Sequence, residues 1–238
     1  MPNLVSSELA VTARSAIRRY PRIQHTMVRI LSLGRTGEEY EDSFRRAMFT
    51  CICPGDCVWD VGANVGYYSE LFASAVGPSG KVISFEPSRG CAAVLEQRAR
   101  DHAAGACWEI APIALSDVDG DAWLSLRAGD TAPGNQLVSR DDPAAVAVKT
   151  ARADSLLASG CTPPAVVKID VEGFEGEVLD GMGSALRRPS LRAICIEVHF
   201  RKLNERGRSR EPNRIVQLLR SSGFSVKWID RSHLVARR

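Results

Sequence analysis

The chain has 238 residues, 45% of them hydrophobic and 25% charged, ordinary proportions for a soluble globular protein. One domain of that length buries about 70–75% of its unfolded surface. Thirty-one basic against 28 acidic residues leave a net charge of +3, too little to point to nucleic acid, and no apolar run approaches the roughly 20 residues of a membrane span.

Residues 1 to 36 hold six arginines and a single acid, Glu8, without the apolar core or cleavage site of a signal peptide. They read as amphipathic helices around Ser7–Arg19 and Pro21–Leu33, suited to shaping an acceptor pocket or a dimer contact. A further helix, Glu38–Thr50, completes an N-terminal helical extension, residues 1–50, ahead of a main domain, residues 51–238. Seven cysteines, an odd number, several of them in apolar strands, suggest reduced thiols and a cytoplasmic protein. Cys51, Cys53 and Cys57 lack the second ligand pair of a zinc site, so packing explains them.

Val58–Gly66, VWDVGANVG, reads as a buried strand, an acid and a glycine-framed turn, followed by a helix over Tyr67–Val76. Gly62 and Gly66 permit a tight turn against a ligand. The spacing is G-x-x-x-G, not the G-x-G-x-x-G of dinucleotide sites. Asp60, expected to face the crevice at the strand exit, would repel a diphosphate and attract a cation. S-adenosylmethionine, with its ammonium and sulfonium, meets that demand, and its carboxylate suits the positive end of the Tyr67 helix.

Lys81–Glu86 is the second strand. Glu86 lies 86 − 66 = 20 residues past the last glycine, where a carboxylate grips a ribose diol. Ser88 caps the next helix, which runs to about Asp101. Trp108–Leu115 is the third strand, with Ser116 and Asp117 at its end. Residues 121–150 alternate like antiparallel strands around a Gly- and Pro-rich segment, a β-excursion carrying a loop over the site. Ala165–Val171 is a strand buried on both faces, with Lys168, Asp170 and Glu172 on one side. A helix over Phe174–Leu186 follows. Leu191–Val198 is the fifth strand, placing Glu197 and His199 at its exit. Arg201–Arg214 reads as a solvated loop, with a lid or a contact for an anionic acceptor as its other use. Glu211–Ser221 is the last helix, and Ser225–Ile229 with His233–Ala236 forms a closing hairpin.

Asp60, Glu86, Ser116, Asp170, Glu172 and His199 thus sit where strands end, the place where open α/β sheets bind ligands. In order, the segments VWDVGANVGYYS, KVISFEPS, IALSD, VVKIDVEGFEGEVLDGM and ICIEVH resemble the FkbM family of S-adenosylmethionine-dependent methyltransferases. The resemblance spans about Cys57 to His199. It implies a class I methyltransferase fold, a Rossmann-like, doubly wound, seven-stranded sheet that is mostly parallel. It implies O-methylation of a sugar, glycolipid glycan or polyketide hydroxyl, in carbohydrate or secondary metabolite biosynthesis. Carried over, the motif assigns Asp60, Gly62, Ala63, Asn64, Gly66 and Tyr67 to the methionine part of the cofactor. It assigns Glu86 with Pro87 to the ribose and Ala114–Ser116 to the adenine, with Asp170 and Glu172 near the reacting methyl.

A sugar hydroxyl is a weak nucleophile, so a base is expected. His199 is the candidate, oriented by Asp170, Glu172 or Glu197, because its ordinary pKa suits neutral pH. His25, His102 and His233 are expected to lie away from the site. The rival arrangement is Mg²⁺ held by Asp170, Glu172, Glu197 and His199. A nicotinamide oxidoreductase would need the missing phosphate-binding glycines. An inactive cofactor-binding scaffold would have less reason to keep these acids and His199.

Overall fold

The computed structural model describes residues 37–103, 107–126, 129–131 and 134–238. The helices expected over Ser7–Arg19 and Pro21–Leu33 lie outside the described residues, as does His25.

Helix α1 (Gly37–Phe49) buries Phe44 and Met48 in the same apolar cluster as Val58, Phe72 and Val235. It leads into β1 (Cys57–Val61), α2 (Tyr67–Val76), β2 (Lys81–Phe85), α3 (Arg89–Asp101) and β3 (Trp108–Ala111). The second half supplies β8 (Val166–Ile169), α5 (Glu175–Gly181), β9 (Ala193–Glu197), α6 (Phe200–Glu205), α7 (Glu211–Ser221), β10 (Ser225–Trp228) and β11 (His233–Arg237). The seven strands run β10-β11-β9-β8-β1-β2-β3. The pairs β2–β3, β1–β2, β1–β8 and β8–β9 are parallel, and β11 pairs antiparallel with both β9 and β10. The doubly wound sheet and its closing hairpin are therefore as the sequence predicts. All five residues of β1 and all four of β8 are buried, as central strands covered on both faces require.

Three elements differ from expectation. The stretch Trp108–Leu115 is not one strand. Pro112 cannot donate to a ladder, so the chain leaves the main sheet after Ala111. Ala114–Leu115 (β4) joins a second sheet, ordered β4-β7-β5-β6, with β5 (Gly120–Ser125), β6 (Gln136–Val138) and β7 (Ala145–Ala151). This is the excursion, and it is a sheet of its own.

The helix expected over Phe174–Leu186 stops at Gly181 and resumes as a 3₁₀ turn, Ala185–Arg187. Asp154, on α4 (Ala153–Ala158), accepts hydrogen bonds from the backbone of Ser184 and Ala185 and fixes the new turn. Residues 201–214 are not a solvated loop either. Arg206 pairs with Glu177 at 2.6 Å, and Arg214 with Asp180 at 2.8 Å, clamping α6 and α7 onto α5. No helix among the described residues is long and apolar enough to cross a membrane.

The turn after β1 is set by contact with the exit of β8. A Cβ on Gly62 would stand 1.9 Å from the Asp170 carbonyl oxygen, and its φ of +75° already disfavours a side chain. Gly62→Ala is therefore expected to destabilise the protein by at least about 2 kcal/mol, read as a fall in the urea midpoint. An unchanged midpoint would contradict that close approach.

Candidate active site

The cleft opens over the carboxyl ends of β1, β2, β8 and β9. Gly62, Asn64, Glu86, Pro87, Asp170, Glu172, Glu197 and His199 line it, with Ala114 and Leu115 from β4. Leu124 and the segment Gly134–Leu137 reach it from the second sheet, so the excursion does lie over the site.

The floor of the glycine turn is a buried polar cluster. Asp60 is wholly buried and does not face the crevice. Its Oδ1 lies 3.1 Å from Lys168 Nζ, and its Oδ2 accepts a 2.6 Å hydrogen bond from Ser69. Ser69 meets Ser84 at 2.7 Å, and Trp108 donates to Ser84 at 2.7 Å. Lys168 Nζ also reaches Asp170 Oδ2 at 3.4 Å and donates to the Gly62 carbonyl at 3.1 Å. Burial works against the ammonium, but the charges of Asp60 and Asp170 outweigh it, so Lys168 holds its proton more firmly than a free lysine. The cation that answers Asp60 is thus an internal lysine, not a ligand.

Glu86, just past β2, accepts from the backbone N–H of Asn64 and of Ser88, each at 2.9 Å. Burial raises its pKa, opposed by those two bonds. Each oxygen keeps a second lone pair for a sugar hydroxyl. Asn64 adopts a left-handed φ of 50°, which turns the loop toward this carboxylate. Ser88 caps α3 through Cys91 N–H, as expected.

The remaining motif residues lie elsewhere. Ala63 and Gly66 pack against the core, where a Cβ on Gly66 would lie 2.7 Å from Leu95. Tyr67 is 49% exposed and accepts a hydrogen bond from Arg45. Ser116 is buried, bonds its neighbour Asp117 at 3.0 Å, and presents its carbonyl to Gly181. None of the four is among the residues lining the cleft.

His199 stands at the opposite end, after β9. Its Nδ1 is 2.7 Å from Glu175 Oε1, and its Nε2 is 3.4 Å from Glu172 and 3.6 Å from Asp170. Glu175 is wholly buried, and the same oxygen accepts from Gly173 N–H at 2.8 Å. Glu172 has a φ of +55°, so it belongs to a turn rather than to a continued strand, yet its carboxylate still reaches His199. Burial opposes a charge on His199, but the Glu175 hydrogen bond and the three carboxylates outweigh it and raise its pKa to about 9. At neutral pH the ring is an imidazolium, not the free base that its ordinary pKa suggests.

Sequence reasoning missed Glu175, because acids early in a helix read as complements to its dipole. His233 was also misplaced. Its Nε2 lies 3.4 Å from Glu197 Oε2, and its pKa too is raised to about 9, by Asp230 and Glu197 against burial. His102 is remote as expected, beside Ser74 at 3.1 Å. Donor atoms of Asp170, Glu197 and His199 lie within 4.8 Å of one another, a group able to hold a cation. Glu172, the fourth residue of the Mg²⁺ alternative, stands outside that group.

An open, mostly parallel sheet with a glycine turn after its first strand, a carboxylate after its second and an antiparallel closing hairpin is the Rossmann-like arrangement of class I methyltransferases, which dinucleotide-binding folds share in part. The domain model described as the methyltransferase FkbM domain matches residues 60–226, and the chain belongs to that family. Among similar proteins is hexuronic acid methyltransferase AglP of Haloferax volcanii, 35% identical over 148 residues. That match covers 60% of this chain but only 56% of the relative, so the chain spans about half the length of the curated protein it matches. Two solved structures share the fold. The O-methyltransferase TomG from Streptomyces achromogenes has a TM-score of 0.50 at 14% identity, with 98% of this chain and 91% of that one covered. Cofactor-bound Rv0187 from MTB has the same score and identity, with coverages of 96% and 88%.

The chain thus carries a methyltransferase domain of that family, whose expected cofactor is S-adenosylmethionine. The cleft fits it: the buried Glu86 offers acceptors for sugar hydroxyls, and Asp170 and Glu172 line the cleft as carboxylates for a cation.

Two outcomes test this geometry. Lys168→Met leaves Asp60 buried and unpaired, and is expected to cost about 3–5 kcal/mol. Adding Asp60→Asn should recover most of that in chemical denaturation. For both histidines the folded pKa of about 9 exceeds the ordinary value of 6.5, so their stabilisation is complete below about pH 6.5 and lost as pH rises through about 9. The melting temperature should fall across that window, and the fall should vanish in a His199→Gln, His233→Gln double variant.

Proposed function

We propose that the protein transfers the methyl group of S-adenosylmethionine to an oxygen of a sugar or glycan acceptor. The observation that carries this is His199, aimed into the cleft beside Asp170 and Glu172 and braced from behind by the buried Glu175. The relative named a hexuronic acid methyltransferase supports a sugar as acceptor.

When bound, the cofactor supplies a methyl carbon already activated by its sulfonium. The chain has to place an oxygen behind that carbon, exclude water and receive a proton. Asn64, Glu86 and Pro87 would hold the cofactor at the β1–β2 end, with Ala114 and Leu115 toward its base. Asp170 and Glu172 complement its positive charge. His199 Nε2 receives the hydroxyl proton while Glu175 accepts the Nδ1 hydrogen and keeps the ring oriented. His199 does this in the fraction of molecules that has released its own proton to solvent. A bound cationic cofactor enlarges that fraction, because it competes for the same carboxylates.

A second reading follows from the imidazolium. A hexuronic acid offers a carboxylate as well as hydroxyls, and a carboxylate oxygen needs no base. His199 would then attract the acceptor as a cation. Lys202, whose Nζ lies 3.7 Å from Glu172 and 3.5 Å from the Gly134 carbonyl, would add to the attraction.

The experiment supplies methyl-labelled S-adenosylmethionine with p-nitrophenyl β-D-glucoside or p-nitrophenyl β-D-glucuronide. Label is expected in the glycoside. Mild alkali releases it from an ester and leaves it on an ether. For hydroxyl transfer, kcat/KM should rise with pH to a break near about 9, and His199→Ala should lower kcat by about 10²–10⁴-fold. Near-normal turnover of that variant would remove His199 as base. Loss of activity in excess EDTA would shift the proton's removal to a cation held by Asp170, Glu197 and His199. No label in either glycoside would count against a sugar acceptor.

A further inference from the structure

The cleft has a second histidine behind its acceptor end. His233 opens β11 directly opposite Glu197 of β9. Its Nδ1 is 2.7 Å from Asp230 Oδ2, and its Nε2 is 3.4 Å from Glu197 Oε2. Asp230 is itself fixed, because its Oδ1 accepts from the backbone N–H of Ser232 at 2.8 Å and of His233 at 2.9 Å. Phe44 stacks on the imidazole with ring centres 4.2 Å apart. The ring is thus held on its edge and on its face, and its remaining donor points at Glu197.

Glu197 lines the cleft and its side chain is 35% exposed. The strand order separates β9 from β2 by three steps, which is about 14 Å. A ribose gripped by Glu86 cannot also reach Glu197. Glu197 stands 3.4 Å from His233 Nε2 and has a donor atom of His199 within 4.8 Å on the cleft side. An ionised carboxylate only accepts hydrogen bonds, so a ligand lodged there must bring donors. Adjacent sugar hydroxyls do so. A polyketide offering one isolated hydroxyl does not.

The geometry points to Glu197 as the acceptor-binding carboxylate, held by the Asp230–His233 pair so that it grips the hydroxyl next to the oxygen being methylated. This rests on methyl transfer to a sugar and narrows the acceptor to a polyhydroxylated ring. His233 is then a positioning residue, acting on the acceptor through Glu197 and not on the cofactor.

The test uses the full chain, with retained folding checked by circular dichroism. S-adenosylhomocysteine is titrated by calorimetry into wild type and His233→Ala, and its Kd is expected to stay within threefold. On the glycoside that wild type methylates, His233→Ala should raise the acceptor KM about 10–100-fold and change kcat less than threefold. His233→Gln, which keeps a donor toward Glu197, should recover most of the loss. A deoxy acceptor lacking the neighbouring hydroxyl should bind wild type more weakly by a similar factor, and Glu197→Gln should then add nothing. Weakened S-adenosylhomocysteine binding, an unchanged KM, or an equal Glu197→Gln penalty on parent and deoxy acceptors would each overturn the assignment. If wild type methylates no glycoside, sugar methylation itself fails and this assignment falls with it. A calorimetric loss alone overturns this assignment and leaves sugar methylation standing.

Discussion

The site depends on the closure of β1 against β8 at their carboxyl ends. Two contacts make it. Gly62 comes so near the Asp170 carbonyl that no side chain fits between them, and Lys168 spans Asp60 and Asp170 from below. Two charges, Asp60 and Lys168, are thereby taken out of water together, while Asp170 stays partly exposed at the cleft. That is tolerable only because Ser69 and the Gly62 carbonyl supply further partners. The arrangement couples two halves of the cleft that sequence motifs present separately. On the proposed reading the glycine turn belongs to the cofactor end and Asp170 to the reacting end, and one buried lysine sets their spacing.

Much of this was legible in the sequence, because the central strands are mostly apolar and the crossover helices have clear boundaries. The helix after the turn begins at Tyr67 and the last helix spans Glu211–Ser221, both as read. The failures share a cause. Period-two alternation tells which side of a strand a residue faces, but not whether a partner waits there. Asp60 was given to a ligand because Lys168, more than a hundred residues away, cannot be paired with it by inspection. Glu175 was given to its helix dipole because the histidine above it arrives from β9. His233 was set aside because the antiparallel register that brings it opposite Glu197 follows from sheet order, not from local pattern. Pro112 was the one local signal overlooked, and it moved β4 into the second sheet.

Charge gives the cleft its direction. Glu86 alone faces the β2 end, whereas Asp170, Glu172 and Glu197 face the β8–β9 end. On the proposed reading a sulfonium between these groups is stabilised by the richer cluster, as is an imidazolium. His199 therefore competes with the cofactor for the same carboxylates. This links proton affinity to cofactor binding: a cation entering the cleft weakens the hold on the histidine's proton, and a protonated histidine weakens the hold on the cation.

The family motif divides on physical grounds. Asp60, Ala63, Gly66 and Ser116 are buried and serve packing or internal pairing, whereas Asn64, Glu86, Asp170, Glu172 and His199 face the cleft. The first set would be retained by any chain that folds this way, active or not. An inactive scaffold is therefore not excluded by Asp60 or the glycines. It is opposed by the second set. Asp170, Glu172 and His199 crowd one spot with like charges and an ionisable ring, and an apolar replacement of similar volume would stabilise a protein that had no reaction to perform. Together with Glu175, buried behind the ring and hydrogen-bonded to it, they form the arrangement that the proposed methyl transfer would use.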